Sequence, residues 1–253
     1  MTDFIYELVS AADENQLIRE ANFDTARVVW PEYMLHDPVS DYFTDLFTEE
    51  GLTPYQFAFI DDATDKIILM GNSVPLFYDG DIADLPDRGW DWGLEKCIMD
   101  YRAGIKPNML MAIQVMIPLE YRGKGLSTLG IQAMKTIAQN NGLEHLIAPV
   151  RPNMKSKYPL IPFERYIHLT NGDNLPFDGW MRVHSKLGAK IIKPCNHSME
   201  IPGTIEQWET WTGLKFPESG DYYVEGALNS VHMDLENNKG LYIEPNVWMH
   251  HKI

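Results

Sequence analysis

Along the chain, short apolar runs of period two alternate with amphipathic stretches of period 3.6, the order expected of a sheet covered by helices. Residues 4–9 alternate as a strand does, and 15–30 place Leu17, Ile18, Ala21, Val28 and Val29 at helical spacing. Residues 38–50 put Tyr42, Phe43, Leu46 and Phe47 on one helix face, with Gly51 as the stop and Pro54 beyond. Two strands, 55–60 and 66–74, follow across a polar turn of hairpin length. Residues 79–107 interrupt the pattern with aspartates and tryptophans around a short helix at 94–101. The run 108–117 is almost wholly apolar and ends at Pro118, as a central strand would. A helix over 126–140, stopped by Gly142, and a strand over 144–150 complete a strand, turn, helix, strand order that predicts a parallel crossover.

Beyond Val150 the chain is rich in Pro, Lys and Tyr, with a helix near 162–169. Asp178 caps a helix over 178–187 that Gly188 stops. Residues 189–193 and 198–201 predict an antiparallel strand pair, and 204–253 a Trp208 and Trp211 helix followed by alternation at 221–224 and 240–249 that completes the sheet. With no internal repeat, the 253 residues read as one α/β domain carrying insertions at about 79–107 and 151–177 and a C-terminal extension at about 204–253.

Composition narrows the class. Hydrophobic residues at 45% and charged residues at 23% exclude disordered and fibrous chains. No apolar run reaches the ~18 residues of a membrane helix, and Asp3 and Glu7 stand where a basic leader would, so neither membrane nor export is expected. Cys97 and Cys195 lie far apart and form no CxxC, which predicts buried thiols and a reducing, cytoplasmic location. The histidines lack the spacing of a metal site, so no metal is expected. Net charge is −15 but uneven: −17 over residues 1–100, +7 over 101–200 and −5 over the rest. An acidic protein with one basic island argues against a nucleic-acid partner and for a small polyanion met by the middle stretch.

The island holds the segment Val115-Met-Ile-Pro-Leu-Glu-Tyr-Arg-Gly-Lys-Gly-Leu-Ser-Thr-Leu-Gly130. Gly123 and Gly125 allow dihedrals closed to other residues, and the N–H groups of the helix turn after them favour an anion. The spacing is neither a Walker loop nor a dinucleotide fingerprint. Arg122-Gly123-Lys124-Gly125-Leu126-Ser127 resembles the acyl-CoA pyrophosphate loop of the GNAT (Gcn5-related N-acetyltransferase) superfamily, with Ser127 where Gly or Ala is usual. Lys186-Leu187-Gly188-Ala189 is similar to a later segment of that family, and together with the flanking elements the likeness covers about 108–193.

This resemblance implies a mixed central sheet whose splayed strands form an acyl-CoA cleft. It implies pantetheine contacts from the backbone of Val115, Met116 and Ile117, pyrophosphate contacts from Gly123, Lys124, Gly125, Leu126, Ser127 and Thr128, a loop fixed by Arg122, and a further contact from Asn153. The activity implied is acetyl transfer from acetyl-CoA, or another acyl-CoA, to a primary amine of a small molecule by direct attack in a ternary complex. His184 stands where the family commonly has a tyrosine that protonates the leaving thiolate; Tyr158 and Tyr166 are the alternatives. Glu120 and Glu164 are the candidate bases, since a carboxylate accepts an ammonium proton through water. Asp79, Asp81, Asp84, Asp87 and Asp91, with Tyr78, Trp90 and Trp92, suit the wall of a cationic acceptor site. Arg151, Lys155, Lys157 and Arg165 suit the 3′-phosphate of CoA, an acidic acceptor or the phosphopantetheine of a carrier protein. Two rivals stay open, acyl transfer from a carrier-protein thioester in natural-product biosynthesis and a non-catalytic acyl-CoA sensor or scaffold. A homodimer is also left open.

Overall fold

The computed structural model describes residues 5–253, so Asp3 and Phe4 lie outside it. Among the described residues nine strands form one mixed sheet. Its order is β1 (Tyr6–Ser10), β2 (Gln56–Asp61), β3 (Lys66–Leu76), β4 (Met109–Met116), β5 (His145–Val150), β9 (Lys239–Lys252), β8 (Val231–Asp234) and β7 (Gly220–Tyr222), with β6 (Lys190–Gly203) also on β9. The pairing of β4 with β5 is parallel and the others are antiparallel. The parallel pair arises from the predicted crossover through α4 (Ser127–Asn140).

Side-chain alternation divides the core between the two faces of the sheet. Leu110, Leu146, Ala148 and Val150 face α4 and α6 (Gly179–Lys186), where Ile131, Met134 and Met181 are buried against them. Met109, Met111 and Ile147 face the opposite side, where α1 (Asn15–Val29), α2 (Asp45–Thr48) and α3 (Gly89–Arg102) contribute Ile18, Leu46, Leu94 and Ile98. Each such side chain, fully removed from water, contributes roughly 2 kcal/mol. A third cluster around Trp208 packs α7 (Ile205–Thr212) against β6, β8 and β9. Thr204 and Gln207 form a reciprocal capping box at its start, and Gly213 in the left-handed region ends it.

The structure departs from the sequence expectations in four places. The helix expected over 38–50 is a 3-10 segment, Pro38–Thr44, followed by the single turn α2; Asp37 caps the first and accepts from Val39 N–H at 2.8 Å. The helix near 162–169 is also one turn, α5 (Phe163–Tyr166). Helix α3 begins earlier than expected, at Gly89, so Trp90, Asp91 and Trp92 are helical. The pair expected at 189–193 and 198–201 is one strand, β6, whose two halves both pair with β9 across an irregularity between Cys195 and Met199. Asn196-His-Ser198 bulges without reversing the chain, because β9 supplies partners on both sides of it. Cys97 and Cys195 are both free and buried. No helix among the described residues is long and apolar enough to cross a membrane.

Candidate active site

Strands β4 and β5 are in register only at Met109, Leu110 and Met111 against His145, Leu146 and Ile147. From Ala112 onward β4 has no partner on that side, while β5 stays paired with β9 up to Val150 opposite Val247. The divergence has a local cause. Ala112 and Gln114 oppose the consecutive residues Ser73 and Asn72 of β3, which leaves Ile113 as an extra residue in β4. Such a bulge bends its strand and sharpens the twist. The unpaired edge of β4 therefore runs through Val115 and Met116 towards Ile117, the residues for which the resemblance implies pantetheine contacts.

At the end of that edge, Pro118 opens a 3-10 turn over Leu119–Tyr121, and Arg122 donates from Nε to the Ile117 carbonyl at 3.3 Å. This contact ties the loop to the strand. Gly123 and Gly125 have φ of +76° and +80°, and space around both is open, with no atom within 4 Å of a Cβ built there. The conformation requires glycine and the space admits a ligand. Helix α4 follows with no side-chain cap and no acid in its first turn, so its positive end faces the open loop. Gly130 sets α4 close on β4, since a Cβ there would lie 2.9 Å from a methyl of Val115. Lys124 lies with its ammonium 5.0 Å from the centre of the Tyr121 ring. Ser127 is the first residue of α4 and leaves the loop conformation undisturbed.

Across the splay, the insertion after Val150 is organised by one carboxylate. Asp178, buried at the start of α6, accepts from the N–H groups of Asn153, Met154, Trp180 and Met181 and from the Tyr166 hydroxyl at 3.0 Å. Tyr166 is thus spent on a structural bond, and burial with the neighbouring Asp178 raises its pKa well above the ordinary phenol value. Lys155 is buried too, donating from Nζ to the carbonyls of Tyr158 and Leu228. Arg151 turns inward, its Nε 2.9 Å from both oxygens of the fully buried Glu244, with Tyr242 and Asn246 donating to the same carboxylate. The basic surface expected from Arg151, Lys155, Lys157 and Arg165 is therefore reduced to the exposed Lys157 and Arg165. The Arg151 guanidinium is committed to Glu244 and the Lys155 ammonium to two backbone carbonyls, so neither is presented as part of an exposed basic patch.

The candidate acid and bases are not brought together. His184 is 1% exposed, and its Nδ1 lies 3.1 Å from Nε2 of His251, a β9 residue in register with Leu146. That is the closed end of the β4–β5 pair, away from the splay. Burial, followed by His251, pushes its pKa down to about 3, so it stays a neutral imidazole rather than an imidazolium at neutral pH. His184 thus lies away from the open edge of β4 where the resemblance implies the thiolate would leave. Glu120 is exposed on the turn before the loop and Glu164 is exposed on α5. Asn153 is exposed beside Gly179, the first residue of α6. Tyr158 packs its ring on Phe177 and Tyr166 in the wall of the insertion.

On the opposite face, the predicted acceptor wall is mostly solvated. Asp79, Asp81, Asp84 and Asp87 are exposed, and Asp81 caps a short turn. Asp91 alone of that series is buried. Its neighbour Trp90 donates its indole N–H to the carbonyl of the bulged Ile113 at 3.2 Å, and the Trp90 backbone N–H to Ser198, which in turn bonds Asn246. Asp37, Glu244 and Ser198 escaped the sequence reading. The one legible signal was Glu244, an acid in the inward register of an alternating strand with Tyr242.

A bulged strand parts from its parallel neighbour, with a glycine loop and an uncapped helix at its end, the arrangement that the sequence resemblance implies for an acyl-CoA cleft. No family model matches the chain. Arginine N-acetyltransferase avaD of Aspergillus versicolor is 32% identical over 250 residues, 89% of this chain and 86% of that protein. The loading GNATL domain of CurA from Lyngbya majuscula has the same fold, with a TM-score of 0.56 at 18% identity over 98% of each chain. The GphF GNAT-like decarboxylase, solved in complex with isobutyryl-CoA, gives 0.53 at 13% identity over 97% of this chain and 98% of that one. The chain belongs to the GNAT superfamily of N-acetyltransferases, enzymes that use acyl-CoA.

Proposed function

We propose that the protein transfers the acetyl group of acetyl-CoA to an amine of a small cationic molecule, arginine or a compound bearing a similar guanidinium or ammonium group. The observation that carries the donor half is the splayed edge of β4 leading into the open Gly123 and Gly125 loop and the uncapped start of α4. Backbone groups of Val115, Met116 and Ile117 hold the pantetheine arm as an added strand. The N–H groups from Gly123 to Thr128 take the pyrophosphate, with Arg122 fixing the loop and Asn153 on the far wall. The acceptor half is supported by the net charge of −17 over residues 1–100 and by the relative in Aspergillus versicolor that is named for arginine.

The amine attacks the thioester carbonyl, a C–N bond forms as the C–S bond breaks, the ammonium proton leaves to a base and the thiolate takes a proton. Glu120, exposed at the end of the β4 edge, accepts the amine proton through water; Glu164 stands farther along the insertion. Tyr158, whose hydroxyl does not bond Asp178, is the thiol-side acid in place of Tyr166 and His184. Cationic substrates gather at the acidic half by the field of the chain.

Thiol release from acetyl-CoA over a panel of arginine, agmatine, spermidine and neutral amines tests this reading. Release with the cationic amines, lost in Arg122→Ala through a raised KM for acetyl-CoA, is the expected result. No release with any amine while acetyl-CoA still binds would favour a sensor, and activity only with an acylated carrier protein would move the donor to a carrier thioester.

A further inference from the structure

We propose that the buried pair Asp37 and Asp91 is a subsite for a guanidinium or ammonium group, and that it holds the end of the acceptor remote from the amine that is acetylated. This deepens the reading above and rests on its cationic acceptor.

Both carboxyls are 2% exposed. Each spends one oxygen on a backbone N–H: Asp37 Oδ1 accepts from Val39 at 2.8 Å and Asp91 Oδ2 from Glu200 at 3.2 Å. The remaining oxygens, Asp37 Oδ2 and Asp91 Oδ1, are buried and have no donor among the described residues. The two carboxyls interact with one another, and two buried acceptors in contact share a proton in the free protein. Burial raises both carboxyls above the ordinary range, Asp91 more than Asp37, with their mutual repulsion next for Asp91.

A structural bond between the Pro38–Thr44 segment and α3 needs only an amide and a carboxylate; two acids leave acceptor capacity that a multi-donor cation satisfies. Asp91 also lines a pocket of about 250 Å³ with Pro38, Arg88, Glu200 and Pro202. The neighbouring charges leave room for such a ligand. Arg88 faces Asp91 but is held at 2.8 Å by Glu95, Glu200 is bonded to His197, and Glu244, which acts on Asp37, is compensated by Arg151. Helix α3 links the pair to the β4 edge, because Trp90, the residue before Asp91, donates its indole N–H to Ile113 at the bulge.

Binding then exchanges one positive charge for another. The cation enters between two carboxylates and the shared proton leaves to solvent, one per ligand. Below the titration of the second carboxyl, affinity rises with pH, by up to tenfold per unit.

Calorimetric titration of the full chain with agmatine, at pH 7 and 8 in buffers of different ionisation enthalpy, with and without CoA, tests this. The expected results are release of close to one proton, binding about tenfold tighter at pH 8, and loss of both at least tenfold affinity and proton release in Asp91→Asn. Acetyl-CoA titration of the same variant reports its fold, and Asp37→Asn serves as the second variant. Agmatine binding without proton release, unchanged affinity in the variants, or no agmatine binding while acetyl-CoA binds would overturn the subsite. Failure of the donor reading shows separately, as absent acetyl-CoA binding.

Discussion

Acid stability separates a buried structural histidine from a catalytic one at position 184. His184 is 1% exposed and its pKa is pushed from 6.5 down to about 3, by burial first and then by His251. In the folded state it stays neutral, whereas in the unfolded chain it takes up a proton as pH falls below 6.5. Stability is therefore complete above that value and is lost going acid, by about 1.4 kcal/mol per pH unit, or about 3 kcal/mol between pH 6.5 and 4. His251, pushed down to about 4 by burial and then by Lys135, adds a loss of the same sign. His184→Asn keeps a polar atom near His251 and removes this titration. Urea midpoints at pH 7, 6, 5 and 4 should show the variant less stable at neutral pH but losing about 3 kcal/mol less on acidification. Contributions from carboxylates cancel in the difference. A stability difference between variant and parent that does not change with pH would refute the buried-neutral assignment, and a collapse of kcat in a folded variant would restore His184 to the chemistry.

Three further substitutions probe the frame of the site. Glu244→Ala strands the Arg151 guanidinium inside the fold and should cost about 3 to 5 kcal/mol, read as a fall in thermal midpoint; an unchanged midpoint would mean that Arg151 reaches solvent. Gly130→Val drives a side chain into Val115 and should cost about 1 to 3 kcal/mol while weakening acetyl-CoA binding, because α4 must shift; unaltered affinity would separate the helix from the loop. Asp178→Ala removes the acceptor shared by the α6 cap and Tyr166; a loss of about 1 to 2 kcal/mol with faster proteolysis between 154 and 166 is expected, and unchanged cleavage would show that the insertion is held elsewhere.

Much of the donor side was legible because it depends on local signals. An apolar run ending in proline and two glycines before a helix specify a strand, a loop and an anion-favouring terminus without reference to the rest of the chain. The bulge at Ile113 was not legible, since it exists only as a mismatch against Ser73 and Asn72. The single strand β6 was read as two because Pro194 to His197 resembles a turn locally, and its partners on β9 lie 37 to 60 residues downstream. Charges misled in both directions. Arg151 and Lys155 read as surface but are turned inside, the first onto Glu244 and the second onto backbone carbonyls, while Asp37 and Glu244 are buried by contacts that composition does not reveal.

Acetyl-CoA titration of Gly125→Val beside the parent protein tests the central claim most directly. Gly125 has φ of +80° and open space around its Cβ position, so the substitution meets no side chain and acts on the loop conformation and the ligand's room. A loss of at least tenfold in acetyl-CoA affinity, in a variant that still folds although its thermal midpoint falls with the strain of a β-branched residue at positive φ, is what a pyrophosphate cradle at residues 123–128 predicts. Equal affinity in a folded variant would place the cofactor elsewhere and contradict the account.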